Sequence, residues 1–307
     1  MIRPILGRLA EAAVALLLMS LLIFLLSRVT GDPIALLLSD DATEADRLDL
    51  IRQLNLDRPL WEQYFSFLGN ALQGDFGRSV AGGREDALKV VLERIPASLS
   101  LAGVALTFTL ALGIVLGVLA SITRGTPADV LIRLVALIGQ SVPSFWLGIM
   151  LIYLVSVHWG LLPTSGVGTW KHYVLPALTL GLFTLAAVTR LVRASMLDAL
   201  GSEYVKLARI KGVSEATVVL RHALANSLIP VVTFMGTFFA TMITGAVVVE
   251  TVFAWPGIGR LAFEAILSRD FPVIQTVVLV ITAFFILANL IVDMLYLAID
   301  PRMRGRG

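Results

Sequence analysis

Residues 97–123 read ASLSLAGVALTFTLALGIVLGVLASIT, a run of 27 residues without a charged side chain. As an α-helix this run would be about 40 Å long, which exceeds the ~30 Å hydrocarbon core of a bilayer. Buried strands of soluble proteins are much shorter, so the run predicts a membrane-spanning helix. Its β-branched residues do not change this assignment, because backbone groups in lipid must be hydrogen-bonded within their own segment.

Five further apolar stretches have a similar length. The six predicted spans are residues 9–29, 97–123, 130–157, 174–192, 228–253 and 273–299. Over the whole chain 57% of residues are apolar and 15% are charged, whereas soluble domains carry about 25% charged residues. One soluble core cannot bury this excess. The predicted fold class is therefore all-α, a polytopic membrane protein with six transmembrane helices.

The distribution of basic residues predicts the orientation. With a cytoplasmic N-terminus, the short outer loops hold only Lys171, Arg260 and Arg269. The inner segments then hold thirteen basic residues: Arg3, Arg8, Arg124, Arg133, Arg190, Arg193, Lys206, Arg209, Lys211, Arg221, Arg302, Arg304 and Arg306. Because basic residues accumulate in cytoplasmic loops, we expect both termini in the cytoplasm. The first span lacks a small-x-small cleavage site, which favours a retained anchor over a cleaved signal peptide.

Two domains follow from this arrangement. Residues 1–96 contain the first span and an extracytoplasmic loop, for which a packed cap is favoured over a ligand-binding role. Residues 97–307 form a five-helix core with a cytoplasmic loop at 199–227, and Pro96 is suited to the start of a helix. Gly113 and Gly117 allow close helix packing, either against a second membrane subunit or within the chain.

Two ionisable positions lie near span ends. Arg193, with Arg190, is expected to mark the inner end of the fourth span and to reach towards the interface. Glu250 lies near the outer end of the fifth span, where it could face a translocation path or the interface.

The cytoplasmic loop carries clear helix signals. Ser202 is suited to cap a helix that ends at Lys211 and Gly212, and Ser214 is suited to cap a second one. Tyr204, Leu207 and Ala208 form an apolar stripe on the first helix. Such an amphipathic element can dock in a groove of a soluble partner or lie on anionic lipid.

At this point the sequence resembles a known family. Residues 203–212, EYVKLARIKG, and 220–226, LRHALAN, resemble the EAA loop of ABC-importer permeases, the coupling region that contacts the ATPase subunit. The resemblance assigns ATPase coupling to Glu203, Tyr204, Leu207, Ala208, Arg209, Gly212, Arg221, His222 and Leu224. Against the general EAA pattern Ala208, Gly212 and Leu224 match, whereas four residues depart from it: Lys206, Leu207, His222 and Ala225.

The resemblance extends along nearly the whole chain. Similar motifs are 55–60 (NLDRPL), 74–77 (GDFG), 141–146 (SVPSFW), 250–259 (ETVFAWPGIG) and 300–302 (DPR). They resemble the "B" permease of dipeptide, oligopeptide, nickel and glutathione importers. The resemblance implies a type I ABC importer permease fold in the bacterial inner membrane. It also implies a second homologous permease subunit, two ATPase subunits and an extracytoplasmic solute-binding protein as partners.

The chain lacks the motifs of an enzyme. It has no Gly-Lys dipeptide and hence no Walker A loop, and it has no Cys. We therefore expect no catalytic residue, cofactor or metal site in this chain, with ATP and Mg²⁺ bound by the partner ATPases. A net charge of +2 gives no reason to expect a nucleic-acid partner. The expected cargo is di- or oligopeptides, with nickel chelates or glutathione as alternatives, and an ion-driven secondary transporter is the competing class.

Overall fold

The computed structural model describes residues 2–30, 43–44, 47–48, 51, 56–81 and 83–299. The side chains of residues 2–6, 30, 233, 244 and 291–299 lie outside this description. Asn55 and residues 300–302, which belong to motifs named above, lie outside it entirely. Within the described ranges the secondary structure is helical, and the β-type contact found there is a single antiparallel bridge between Arg78 and Asp86.

Five helices are long. They are α1 (Ile2–Thr30), α3 (Ala87–Ile122), α6 (Lys171–Leu200), α9 (Leu224–Val252) and α11 (Phe271–Ile299). The shorter helices are α2 (Leu60–Leu72), α4 (Pro127–Ser141), α5 (Ser144–Leu151), α7 (Glu203–Ile210), α8 (Glu215–Thr217) and α10 (Ile258–Leu267). A π-helical segment at Ile152–His158 extends α5, and another at Val218–Ala223 joins α8 to α9.

The helices account for the predicted spans. In the described part of the chain, four helices are long and apolar enough to cross a membrane alone, and there are up to six spans if each of two bent pairs counts as one. The predicted all-α polytopic class is confirmed.

The predicted third span is not one continuous helix. The helix axis bends by 107° between α4 and the segment Ser144–His158. The break lies at Val142, whose ψ of 126° is extended. Pro143 follows directly, and a proline disfavours helical backbone in the residue before it while lacking an N–H of its own.

The prediction that a helix starts at Pro96 is wrong. α3 begins at Ala87 and continues through Pro96. Its start is fixed by Asp86, whose Oδ1 accepts hydrogen bonds from the N–H groups of Leu88 (2.8 Å) and Lys89 (3.2 Å). A carboxylate in this position caps a helix and also interacts favourably with its dipole.

The chain divides into two compact units. The first contains the described residues up to Ala97 together with Pro256–Leu290. Its apolar core is formed by Ala87, Val91, Ile258, Ala265, Val273 and Val277. Buried Asp270 fastens the segment after α2 to the start of α11: its Oδ2 accepts hydrogen bonds from the Ser79 hydroxyl (2.5 Å) and the Val80 N–H (3.0 Å).

The second unit contains Ser98–Trp255 and is built around α6. Of the most apolar stretch of α6, 61% is buried, more than in the other three single helices long enough to cross a membrane, and the helix packs against α4, α5 and α9. The core at its C-terminal half includes Val188, Val192, Met196, Val219, Ala223 and Val231.

Gly113 and Gly117 of the second predicted span face α6. A Cβ atom on Gly113 would lie 2.8 Å from Val188 Cγ1, and one on Gly117 would lie 2.6 Å from Val192 Cβ. Real Cβ contacts are not this short. Of the two alternatives drawn from the sequence, the glycines therefore serve packing within the chain.

Candidate functional site

The loop between α6 and α9 folds into one exposed helix and a short capped lead-in. α7 begins after Ser202, whose extended backbone (ψ 155°) suits an N-cap. Its hydroxyl, however, donates to the carbonyl of Ala199 (2.5 Å) and does not cap α7. Glu203 occupies the first turn, where a carboxylate complements the helix dipole, and accepts a hydrogen bond from Lys206 Nζ at 2.7 Å.

The end of α7 is a Schellman motif centred on Gly212. The Gly212 N–H donates to the carbonyl of Arg209 (3.0 Å), and the Val213 N–H donates to that of Ala208 (3.2 Å). This pattern requires a left-handed residue, and Gly212 has φ +78°. The Gly212 turn predicted from the sequence is therefore present, with Ala208 as the accepting residue one turn earlier.

The turn places Ser214 at the start of the next helical segment. Its hydroxyl accepts a hydrogen bond from the Thr217 N–H at 3.4 Å, as the sequence predicts for a cap. α8 then runs through the π-helical segment into α9 without interruption.

A bidentate ion pair bridges the turn. Arg209 donates from Nε to Glu215 Oε2 (3.0 Å) and from Nη2 to Oε1 (2.6 Å). The hydrogen bond from Arg209 lowers the pKa of the Glu215 carboxyl, and the hydrogen bond to Glu215 raises the pKa of the Arg209 guanidinium. Both groups are charged at neutral pH, so the pair holds α7 and α8 together across Gly212. The sequence places Glu215 in the first turn after Ser214, but its pairing with Arg209 was not predicted.

The two sides of α7 differ sharply in exposure. Val205 is fully buried, whereas Tyr204, Leu207 and Ile210 on the opposite side are 41%, 56% and 81% exposed. The predicted stripe included Tyr204 and Leu207 but missed Ile210, which their i, i+3 spacing would have added. We refer to Tyr204, Leu207 and Ile210 as the apolar face of α7.

Two contacts join the loop to the spans of its own unit. The Asn226 side-chain amide donates to the Tyr204 hydroxyl at 3.2 Å, which ties α7 to the start of α9. Leu224 packs against the buried cluster that contains Val192 and Met196 of α6. The other two predicted residues lie in the π-helical segment that packs against α7; Arg221 is exposed and His222 is half-buried.

A second ion pair lies where α4 begins. Asp129 is 1% exposed and accepts hydrogen bonds from Arg193 Nε to Oδ1 (2.9 Å) and from Arg193 Nη2 to Oδ2 (3.0 Å). The Gly125 N–H donates to Oδ2 at 3.2 Å, and Arg133 lies 3.2 Å from Oδ1. Arg193 thus pairs with a carboxylate at the start of α4, and its reach towards the membrane interface stays a prediction. Its partner is 64 positions away, which spacing arguments cannot detect.

Glu250 occupies neither of the two positions considered for it. It is fully buried near the end of α9. Its Oε1 accepts a hydrogen bond of 2.6 Å from the hydroxyl of Ser98 on α3, within the same unit. A buried carboxyl of this kind requires such partners.

These features define a class of protein: a polytopic membrane protein with an amphipathic helix exposed between two spans. The chain belongs to the family described as binding-protein-dependent transport system inner membrane component, which matches residues 113–305. Residues 1–102 match the N-terminal part of such membrane components. It is a multi-pass inner-membrane permease of the ABC importer class, as the sequence resemblance predicted. An ion-driven secondary transporter is inconsistent with this family.

The chain is similar along its length to curated permeases. It is 42% identical over 306 residues to the glutathione transport system permease protein GsiC of Escherichia coli (strain K12), which covers 99% of each chain. The protein of the same name from Shigella dysenteriae serotype 1 (strain Sd197) gives the same identity and coverage.

Solved structures define the fold. A structure of inward-facing conformations of the MetNI methionine ABC transporter contains a chain with a TM-score of 0.59 and 18% identity, covering 69% of this chain and 96% of that one. An amino acid ABC transporter with histidines gives a TM-score of 0.54 and 14% identity, covering 67% and 92%. The fold is that of a type I ABC importer permease.

Proposed function

We propose that this chain is one of two homologous permease subunits that together form the pathway of a short-peptide importer. A solute-binding protein delivers the cargo to the outer face, and two separate ATPase subunits drive transport from the cytoplasmic side. Both termini lie in the cytoplasm, as the distribution of basic residues favours. Alternating access then follows from nucleotide and cargo binding, which bias a bundle with two states.

One observation carries this proposal: the apolar face of α7 is exposed on a helix whose other side is packed. Val205 is buried and fixes the helix, while Leu207 and Ile210 are left without cover in the single chain. An exposed apolar face on a helix is suited to bind in a groove of a partner protein. Two basic residues of the same helix, Lys206 and Arg209, are already paired with Glu203 and Glu215.

The construction of the loop suits it to transmit movement. The Schellman motif at Gly212 and the Arg209–Glu215 pair hold the angle between α7 and α8. The Tyr204–Asn226 hydrogen bond and the packing of Leu224 join the loop to α9 and to the core around α6. A displacement of α7 by an ATPase subunit would therefore move the cytoplasmic ends of these spans together.

For the cargo we propose short peptides, with glutathione as the first compound to test. The sequence motifs are shared by dipeptide and oligopeptide importers, and the similar curated permeases serve glutathione transport. Glutathione is itself a tripeptide, so the two indications agree in chemical class. Isothermal titration of the cognate solute-binding protein with dipeptides, tripeptides, glutathione and a nickel chelate would identify the cargo. Binding of the nickel chelate alone would contradict the peptide proposal.

The coupling role is tested by Gly212→Val. No atom lies within 4 Å of a Cβ placed on Gly212, so the substitution introduces strain only through the φ of +78°. A left-handed non-glycine residue costs about 1–2 kcal/mol, and more when it is β-branched, which favours a changed turn. We expect the complex in proteoliposomes to keep its ATPase activity while losing most cargo uptake.

Gly160→Val is the matched control. Gly160 has φ +63° and is likewise free of neighbours within 4 Å of its Cβ position, but it lies in the loop after α5. Membrane insertion of both variants is compared by fractionation. Unchanged uptake in Gly212→Val, or an equal loss in Gly160→Val, would contradict coupling through α7.

A further inference from the structure

α2 has three distinct sides. Its apolar side consists of Trp61, Phe65, Leu68 and Leu72, which fall within an arc of about 60° at 3.6 residues per turn. Three of these are strongly exposed: Trp61 at 62%, Phe65 at 63% and Leu72 at 82%. We refer to this set as the apolar stripe of α2.

The second side of α2 is polar and the third packs on α1. Glu62, Ser66 and Asn70 follow one another at i, i+4 and i+8, and Ser66 and Asn70 are exposed. On the packed side, Tyr64 and Phe67 contact the ring of Phe24 of α1, with ring centroids 5.5 and 5.8 Å apart. The apolar stripe therefore lies beside the α1 contact and away from the polar side.

The contact with α1 gives the depth of α2. The Tyr64 hydroxyl lies 2.9 Å from that of Ser20, and the guanidinium of Arg28 lies 5.3 Å above the ring of Phe24. Arg28 is the charged residue at the Thr30 end of the first apolar run. At 1.5 Å per residue, Phe24 and Ser20 lie about 6 and about 12 Å further into the apolar run than Arg28.

This depth matches that of a helix lying in a membrane interface. In-plane amphipathic helices bury their apolar side about 5–10 Å into the boundary between headgroups and acyl chains. α1 is itself exposed in the single chain at this depth, since only 17% of its most apolar stretch is buried and Leu22 and Leu25 are exposed. A tryptophan at the start of the apolar stripe of α2 suits a membrane interface.

We propose that α2 lies in the plane of the leaflet reached by the Thr30 end of α1, with its apolar stripe against lipid acyl chains and its polar side towards water. The occupant of the stripe is lipid and not a protein subunit. This assignment does not depend on the cargo or on coupling to an ATPase, because it follows from contacts within the first unit.

The absence of Cys from the sequence allows a direct test. Phe65→Cys and Ser66→Cys are neighbouring exposed positions, one on the apolar stripe and one on the polar side. Each variant of the full-length chain, with the subunits that co-purify with it, is labelled with a nitroxide. The samples are reconstituted into vesicles of phosphatidylethanolamine and phosphatidylglycerol. Electron paramagnetic resonance then measures collisions with oxygen, which partitions into lipid, and with a water-soluble nickel chelate.

We expect the ratio of oxygen to nickel collisions to be several-fold higher at position 65 than at position 66. Leu22→Cys on α1 provides the lipid-exposed reference. A second pair, Leu72→Cys and Asn70→Cys, repeats the comparison should one label disturb the helix. Equal access of the nickel chelate to positions 65 and 66 would overturn the proposal. Protection of position 65 from both probes would also overturn it, because a protein subunit would then cover the stripe.

Discussion

Gly117 sets how closely α3 can approach α6. A side chain at this position would meet Val192 and the backbone carbonyl of Thr189, which lies 2.9 Å from the Cβ position. The valine could shift its rotamer, but the carbonyl belongs to a helix and cannot move alone. This close approach matters because helices in lipid gain little from the hydrophobic effect. Van der Waals packing between the helices stabilises their association instead.

Gly117→Ala is therefore expected to destabilise the protein by about 1–3 kcal/mol, the usual cost of overpacking. Gly103→Ala in the same helix is the control, since no atom lies within 4 Å of its Cβ position. That control should be neutral or slightly stabilising, because alanine forms helices better than glycine by about 0.5–1 kcal/mol. Thermal unfolding of both variants in detergent provides the measurement. A control as unstable as Gly117→Ala would show that the contact with α6 is not the cause.

Individual residues differ in how far sequence alone could place them. Gly212 was predictable because a left-handed cap is a local feature that only a few residue types satisfy. Gly117 was recognised as a packing residue, but its partner was left open, since a GxxxG pattern does not specify which helix it faces. Glu250 was recognised as unusual, and its pairing with Ser98 depends on contacts 152 positions apart.

At the scale of elements, the Asp129–Arg193 pair fixes the start of α4 against α6. The carboxylate accepts two hydrogen bonds from one guanidinium in the bidentate geometry that arginine favours. Because Asp129 is almost fully buried, it depends on Arg193 and Gly125 for its hydrogen bonds and not on bulk water. α6 leads directly into the loop that carries α7.

We expect Asp129→Asn to lower the melting temperature of the purified protein, because a neutral amide cannot pair both arginine donors. Arg133→Gln is the control: Arg133 also approaches Asp129, but its side chain is 51% exposed and its loss leaves Arg193 paired. Equal effects of Asp129→Asn and Arg133→Gln would show that the buried pair has no special role.

Elements were predicted well where their signals are local. The ends of α7 follow from capping. The break before Pro143 was not predicted, because a proline within an apolar run is compatible with a bent helix as well as a broken one. The start of α3 was misplaced because Pro96 is a stronger signal in sequence than Asp86, although Asp86 supplies the cap. Which side of α7 would be buried could not be predicted, since that depends on the packing of Val205 within the folded loop.

At the scale of the whole molecule, composition and span length predicted the class, and motif order predicted the family. Lipid removes most alternatives to a helix, so a long uncharged run specifies its structure more firmly than any run in a soluble protein. The proposal of a separate ATPase partner rests on two features: the sequence has no Gly-Lys dipeptide of a Walker A loop, and the chain exposes the apolar face of α7.

Assembly with the ATPase should therefore depend on the apolar face of α7. Leu207→Ser removes an apolar side chain that a groove would bury. The lost burial lowers the binding free energy by about 2 kcal/mol, which corresponds to a roughly 30-fold weaker association. Lys206→Ser is the matched control, since this exposed neighbour lies beside the apolar face and its loss removes only a surface ion pair. Pull-down of the tagged permease in mild detergent would measure how much ATPase subunit is retained. Because the contacts of the six spans are unchanged, the second permease subunit should be retained by both variants. Full retention of the ATPase in Leu207→Ser would place its docking surface elsewhere on the chain.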